Sequence, residues 1–269
     1  MKLQVLVTTM YQSDLNIYSK MNLQTDAVIA NQGDRNDYLE EVINENIVQL
    51  VSTKTRGLSR NRNIALAHAS QSADLILFSD DDLVFGNDYE KLIIEEFEKH
   101  PYAEAMKFNL HDLSETKKIS MKRIKSFERC TRRNMSSSGM CGVVIKTQAL
   151  KRIGLHFHEN FGTGTENYCG EDTIFLQTLI NKKVKFYRSP VDIAGIDQTE
   201  STWFEGFDEK YFTVTGKVLA TIYPRLAILI ALRSAYRFSK NKRCDLKFFK
   251  IFKYYRNGIK AIKRKKNDC

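Results

Sequence analysis

The stretch Leu75-Ile76-Leu77-Phe78-Ser79-Asp80-Asp81-Asp82 decides the fold. Four apolar residues in a row, closed by a serine and three carboxylates, read as a buried strand that ends abruptly in polar chain. The same pattern recurs upstream. Leu3 to Thr8, Ala27-Val28-Ile29-Ala30 and Ile47 to Val51 are apolar runs ending in polar residues, the second in Asn31-Gln32-Gly33-Asp34. Asp14 to Met21 has room for a short helix, and Ser59 to Ala69 reads as a longer one. Strands alternating with helices at this spacing predict an α/β fold built on a doubly wound, mostly parallel sheet. Its ligand crevice lies at the carboxyl ends of the strands, where the polar motifs fall.

Downstream, Tyr89 to Lys99 carries Leu92, Ile93 and Phe97 at helical spacing and is closed by His100-Pro101. The polar segment Ser114 to Asn134 is a long loop or a strand excursion. Val143-Val144-Ile145 is a further strand, Thr147 to Ile153 a short helix and Phe161-Gly162-Thr163-Gly164 a glycine-rich loop. A helix starts at Gly170-Glu171-Asp172-Thr173 and runs through Ile180. Val184 to Tyr187 returns as a strand, stopped by Ser189-Pro190. There is no internal repeat and no low-complexity tract in the body.

With 269 residues, 42% hydrophobic and 28% charged, the chain is long enough to bury a sizeable core and too apolar for wholesale disorder. Its net charge of +10 is concentrated: residues 233–269 hold fourteen Lys or Arg against two Asp, leaving 28 basic and 30 acidic residues elsewhere. The five cysteines, Cys130, Cys141, Cys169, Cys244 and Cys269, show no zinc-type spacing and no disulfide framework, which fits a reducing compartment. Met1-Lys2 leads straight into the first strand without the apolar core of a signal peptide, so a cytoplasmic location is expected.

Three carboxylates fixed at a strand end are hard oxygen donors suited to Mg2+ or Mn2+ bridging a diphosphate; the competing reading is a solvated acidic turn. Arg56-Gly57-Leu58-Ser59-Arg60-Asn61-Arg62-Asn63 sets three arginines beside a glycine turn at a helix start, a cradle for phosphate and ribose oxygens. Arg62 and Asn63 are its first candidates, with Arg56 beside them. Taken alone, the same segment is a helix N-terminus capped by Ser59.

Gly57-Leu58-Ser59 with Arg62-Asn63, then Leu77-Phe78-Ser79-Asp80-Asp81-Asp82, then Gly170-Glu171-Asp172 resemble glycosyltransferase family 2 in order and spacing, over roughly residues 1–215. The resemblance implies a GT-A fold, inverting transfer from a nucleotide-diphosphate sugar, and a divalent metal, Mn2+ or Mg2+. It makes Asp80 and Asp82 the family's DxD pair, with Asp82 the direct metal ligand and Asp81 in the variable middle position on the donor side. It makes Asp172 the catalytic base and gives Glu171 the orientation of acceptor or base. A carboxylate at a helix start can take the acceptor hydroxyl's proton; both acids also suit a helix N-terminus for its dipole alone. Thr8, Thr9, Tyr11, Asn31 and Asp34 are assigned to the nucleotide.

Two departures stand out. The family's acidic residue followed by Gly-Ser is replaced by Asn31-Gln32-Gly33-Asp34, which leaves the nucleotide open. The histidine before a downstream Ser-Thr pair is replaced in Gly195-Ile196-Asp197-Gln198-Thr199-Glu200-Ser201-Thr202, so Asp197 is a metal ligand or a loop residue. His156 and His158 read as structural or peripheral rather than catalytic. Trp203-Phe204-Glu205-Gly206-Phe207 offers aromatic surface for packing or for stacking an acceptor sugar.

Residues 216–269 form a helical, basic extension to the 1–215 transferase domain. Val218 to Leu232 is apolar but interrupted by Pro224-Arg225, and falls short of the about 20 residues a bilayer requires. From Lys247 to Arg264, Phe248, Ile251, Phe252, Tyr255, Ile259 and Ile262 share one helical face, with Lys250, Lys253, Lys260 and Arg264 away from it. Such a helix is expected to associate in plane with an anionic membrane surface; the alternative is that it packs on the catalytic domain. The expected activity is sugar transfer to a lipid-linked saccharide at the inner membrane face, in surface or capsular polysaccharide assembly. Its rivals are a sugar-nucleotide nucleotidyltransferase and a nucleic-acid-binding protein acting through the basic tail.

Overall fold

A computed structural model describes residues 1–113, 123–135, 138–196 and 206–267, with side chains described as far as residue 263. The first unit, β1 (Leu3–Met10), α1 (Asn16–Lys20) and β2 (Asp26–Gln32), sets two parallel strands side by side. All of β2 and all but the last residue of β1 are buried, as strands covered on both faces must be. Next, β3 (Asp37–Ile43) and β4 (Asn46–Thr53) form an antiparallel hairpin at the sheet edge. Its two-residue turn, Asn44-Glu45, has φ of +48° and +69°, as the primed turn of a tight hairpin requires. The sequence reading places no strand at Asp37–Ile43, because the edge strand has no fully buried face to create an alternation.

The helix α2 (Leu58–His68) leads into β5 (Leu75–Asp80), the strand that carries the acidic triplet at its end. After β6 (Leu83–Phe85) come α3 (Tyr89–Lys99), β7 (Ala105–Asp112), β8 (Glu128–Arg129), β9 (Val143–Lys146), α4 (Thr147–Ile153), α5 (Glu171–Asn181) and β10 (Phe186–Ile196). One sheet results, in the order β3-β4-β2-β1-β5-β9-β7-β10-β6, with β8 pairing to β10. Six strands, β4, β2, β1, β5, β7 and β10, run the same way, and the other four run against them. The mostly parallel α/β architecture expected from the sequence is therefore present.

Alternating residues of the central strands feed two cores, one on each face of the sheet. Val5, Val7, Ala27, Ile29, Leu75 and Leu77 enter one; Leu6, Val28, Ala30, Ile76 and Phe78 enter the other. Phe78 meets Phe157 and Phe175 edge-on at 5.7 and 5.8 Å, coupling the strand behind the triplet to the loop and helix that carry Asp172.

One boundary is corrected: β10 does not stop at Ser189-Pro190 but continues to Ile196, with its register to β7 shifting between Arg188 and Asp192. The bulge accommodates a proline that cannot donate to the ladder, while the buried Ser189 hydroxyl donates to Glu96 at 2.7 Å.

Three helices follow: α6 (Glu209–Ile222), α7 (Ala227–Phe238) and α8 (Phe248–Asn267). Asp208 caps α6 by accepting from the Tyr211 amide at 2.7 Å, so the helix starts before residue 216 and is continuous across it. Here α6 and α8 cross at two glycines. A Cβ on Gly216 would lie 2.3 Å from the Tyr255 carbonyl, and one on Gly258 would lie 2.0 Å from that of Thr213. The apolar stripe of α8 that could have met lipid is spent on this packing. Ile251, Tyr255 and Ile259 are fully buried with Phe212, Ala231 and Ala235, and Phe248, Phe252 and Ile262 pack on the same cluster. Among the described residues, no helix is long and apolar enough to cross a membrane.

Candidate active site

The ends of three parallel strands meet at one level, with Thr8 beside Asp80 and Thr9 beside Asn31. This register divides the acidic triplet. The Thr8 hydroxyl donates to Asp80 at 2.7 Å and the Thr9 hydroxyl to Asp81 at 2.6 Å. Asp81 and Asp82 are exposed beyond the strand end, whereas Asp80 is turned into the protein. Burial pushes the Asp80 carboxyl up, but the Arg62 guanidinium and hydrogen bonds from Thr8 and the Cys141 thiol outweigh it and hold the group below its ordinary range.

Arg62 is 3% exposed. Its Nη2 donates to both oxygens of Asp80 at 3.1 and 3.2 Å, its Nη1 to Oδ1 of Asp172, and its guanidinium lies over the Phe157 ring at 5.2 Å. Burial alone would weaken its proton affinity; the carboxylates of Asp172 and Asp80 reverse that, so the cation is fixed. The other α2 residues hold the loops around it. Ser59 donates to the Phe161 carbonyl at 2.7 Å, and Asn61 donates to the carbonyls of Ala30 and Thr9 at 2.8 and 3.2 Å. Asn63, expected beside phosphate or ribose, is instead paired with the Phe157 backbone: its Nδ2 donates to the carbonyl at 3.0 Å and its Oδ1 accepts the amide at 2.8 Å. The α2 turn itself is tied down where the Gly57 amide, at φ +113°, donates to Gln32 Oε1 at 2.7 Å.

Asp172 sits in the first turn of α5, behind Gly170 at φ +102°. Its second oxygen accepts the Met140 amide at 2.9 Å, and Gly139 passes so close that an added Cβ would lie 3.5 Å from it. Both oxygens are thus oriented while the carboxylate keeps an open side. Glu171 differs: it is buried, its Oε2 has no hydrogen-bond partner, and an added Cβ on Gly162 would meet its carboxyl carbon at 3.2 Å. Burial and then the neighbouring Asp172 charge raise its pKa to about 7.

Lys107 grips the same loop from β7, donating to the Gly139 carbonyl at 3.2 Å and to that of Cys141, and burial pushes its ammonium down. Sequence reading passed over Lys107, Asn61 and Cys141. The signal for Lys107 is a lone lysine between the buried Met106 and Phe108 in the first, buried half of the strand.

On the other side of the triplet, a cleft of about 260 Å³ is lined by Tyr11, Gln12, Ser13, Asn31, Gly33, Asp34, Arg35 and Ser52. Asn31 shapes its floor: Oδ1 accepts the Gln12 amide at 3.0 Å, and Nδ2 donates to the Gln12 carbonyl and to Ser52 at 2.9 Å. Tyr11, at φ +56°, projects at the rim, with Arg56 over its ring at 5.7 Å. Arg56 also donates to the Gly33 carbonyl at 2.6 Å and to Asp34 at 2.8 Å. Of the nucleotide-side candidates, Tyr11, Asn31 and Asp34 line this cleft, whereas Thr8 and Thr9 bond the carboxylates beside it.

Oxygen donors of this kind suit a hard cation that takes one or two protein carboxylates and fills its shell with diphosphate and water. Among the described residues, no cluster of three His, Cys, Asp or Glu could hold a metal unaided. Asp197 and Trp203 lie outside the described residues. His156 is exposed, and His158 packs edge-on against Phe161 at 5.0 Å.

Residues 17–153, just over half of the chain, match the family model described as glycosyl transferase family 2. No curated protein sequence matches. Among solved structures, the chain is similar in fold to S. aureus TarS, with a TM-score of 0.61 and 16% identity over 90% of this chain and 44% of that one. It thus spans less than half of that TarS chain. Against TarS 1–349 the TM-score is 0.57 at 16% identity, covering 98% of this chain and 73% of that one. The TarS 1–349 complex with UDP-GlcNAc gives 0.58 at 15% identity, covering 96% and 72%.

Proposed function

The chain belongs to glycosyltransferase family 2, and we propose that it moves a sugar, with inversion, from a nucleotide-diphosphate donor to a lipid-linked saccharide at the inner face of the cell membrane. The observation that carries this reading is the placement of Asp172. It is oriented by Arg62 and the Met140 amide, and joined through Arg62 to the strand end beside the nucleotide-side cleft.

In this reading the base and ribose occupy the cleft around Tyr11, Asn31 and Asp34, and the diphosphate reaches the triplet. The acceptor hydroxyl attacks the anomeric carbon from the face opposite the diphosphate and gives its proton to Asp172. A bond forms from that oxygen to the sugar, the bond from sugar to phosphate breaks, and its electron pair leaves with the nucleoside diphosphate. Mn2+ or Mg2+ held at Asp82, with Asp80 behind it, would neutralise charge on that leaving group. Arg62 positions both acids. The fold likeness to TarS, solved with UDP-GlcNAc and with UDP, favours a uridine donor.

Surface or capsular polysaccharide assembly is the process such an enzyme serves when its acceptor is lipid-carried, and the basic C-terminal helices suit that setting. The test is a screen of UDP-, GDP- and dTDP-sugars with Mn2+ or Mg2+, reading thermal stabilisation and then transfer. Stabilisation by one nucleotide class, with transfer abolished in Asp172→Asn, supports the reading. Near-normal transfer by that variant overturns the base assignment.

A further inference from the structure

With the stripe of α8 buried, most of the large apolar side chains left exposed among the described residues of the helical unit lie on α7 or at its start. One face of α7 consists of Ala227, Ala231 and Ala235, all fully buried against the rest of the unit. The opposite face exposes Leu226, Leu229, Leu232 and Tyr236, with Leu229 64% exposed. Arg225, Arg233 and Arg237 are exposed among them. Between Glu209 and Asp245 the chain carries eight Lys or Arg and no acid.

Large aliphatic side chains left in water mark an interaction surface when they are clustered and rimmed by charge. The chemistry here selects the partner. A second copy meeting this face across a two-fold axis would set arginines against the same arginines with no acid to pair them. Nucleic acid would satisfy the cations but leave Leu226, Leu229 and Leu232 unburied. An anionic lipid surface satisfies both: leucines enter the acyl boundary, Tyr236 sits at headgroup level, and guanidiniums bind lipid phosphates.

We propose that the outer face of α7 docks the protein in plane on an anionic phospholipid surface. Its purpose rests on the reading of the acceptor as lipid-carried; the docking itself does not. The docked unit is bolted to the acceptor side of the catalytic centre. Val218 of α6 packs on Phe161 and Ile174, and Lys217 donates to Asn167 at 2.6 Å. A membrane under α7 therefore holds the loop and helix that carry Glu171 and Asp172 at a fixed distance from lipid.

The experiment is flotation of the full chain with vesicles of phosphatidylglycerol and phosphatidylcholine, against vesicles of phosphatidylcholine alone. Binding to the anionic vesicles only is expected. It should fall at least about tenfold in Leu229→Ser/Leu232→Ser and, separately, in Arg233→Gln/Arg237→Gln. Both pairs are solvent-facing, so the far-ultraviolet spectrum and the donor-induced thermal shift should be unchanged. Equal binding to both vesicle types, unchanged binding by either variant, or a concentration-dependent dimer lost in both variants overturns the proposal. So does tighter binding to RNA or DNA than to vesicles at physiological salt. Vesicle binding without sugar transfer would defeat the functional reading alone; transfer to a water-soluble acceptor without vesicle binding would defeat the docking alone.

Discussion

Asp80 and Asp172, one at a strand end and the other in the first turn of α5, are bonded to the two ends of a single buried guanidinium, that of Arg62. One cation thus sets the distance between the donor-side acid and the candidate base. Replacing it leaves two carboxylates facing each other. Arg62→Leu is expected to cost about 3–5 kcal/mol of stability, the usual consequence of breaking a buried ion pair, read by urea unfolding. Arg62→Lys keeps the charge but not the span. It should fold, and its transfer rate should drop on the order of a hundredfold.

Asp172→Asn preserves shape and removes the proton acceptor. Transfer should fall by about 10²–10⁴ while donor affinity and donor-induced stabilisation stay within about twofold, because the residue touches neither the cleft nor the triplet directly. Initial rates and a donor thermal-shift titration measure the two effects separately.

Divalent metal should be required for the donor to stabilise the fold. Adding a chelator is expected to abolish the thermal shift given by the nucleotide sugar, and Mn2+ or Mg2+ to restore it. In Asp82→Asn the metal concentration for half-restoration should rise by about tenfold or more. A donor shift that survives the chelator unchanged argues against this placement of the metal.

Glu171 gives a pH dependence with a definite sign. Its folded pKa, about 7, lies above the ordinary 4.5, so its protonated form is the one the fold prefers. The stability it contributes is therefore complete below pH 4.5 and is lost as pH rises to 7. Glu171→Gln cannot ionise. Its free energy of unfolding should gain on that of the parent across this window, by on the order of 1–3 kcal/mol, and run parallel above it.

Much of this was legible in the sequence because the decisive features are local. An apolar run ending in acids, a glycine turn before a basic helix and a Glu-Asp pair after a glycine each fix an element and its end, and all three meet in one crevice. What escaped was set by distant packing. The β3 strand reads as polar chain because it pairs along an exposed edge, and β10 outlasts Pro190 because Ser189 and the bulge absorb the missing amide. The amide of Asn63, a ligand candidate by sequence, is paired with the Phe157 backbone, and nothing near residue 63 in the chain signals a partner so far away. The α8 stripe had two possible partners, and only the glycines of the crossing select between them.

The crossing is also the most brittle point of the helical unit. Gly258→Ala places a methyl carbon 2.0 Å from the Thr213 carbonyl oxygen, so the helices must separate. A loss of about 1–3 kcal/mol or more is expected, with α8 becoming sensitive to limited proteolysis while the sheet domain stays intact.

The same crossing orders events in time during synthesis. Both α6 and α7 leave the ribosome before α8, and until α8 arrives the side of Phe212, Ala231 and Ala235 has nothing to close it. A nascent chain at that stage would hold a finished sheet domain and an open, sticky, positively charged pair of helices. A chain that ended before α8 would leave Phe212, Ala231 and Ala235 without the cover of Ile251, Tyr255 and Ile259.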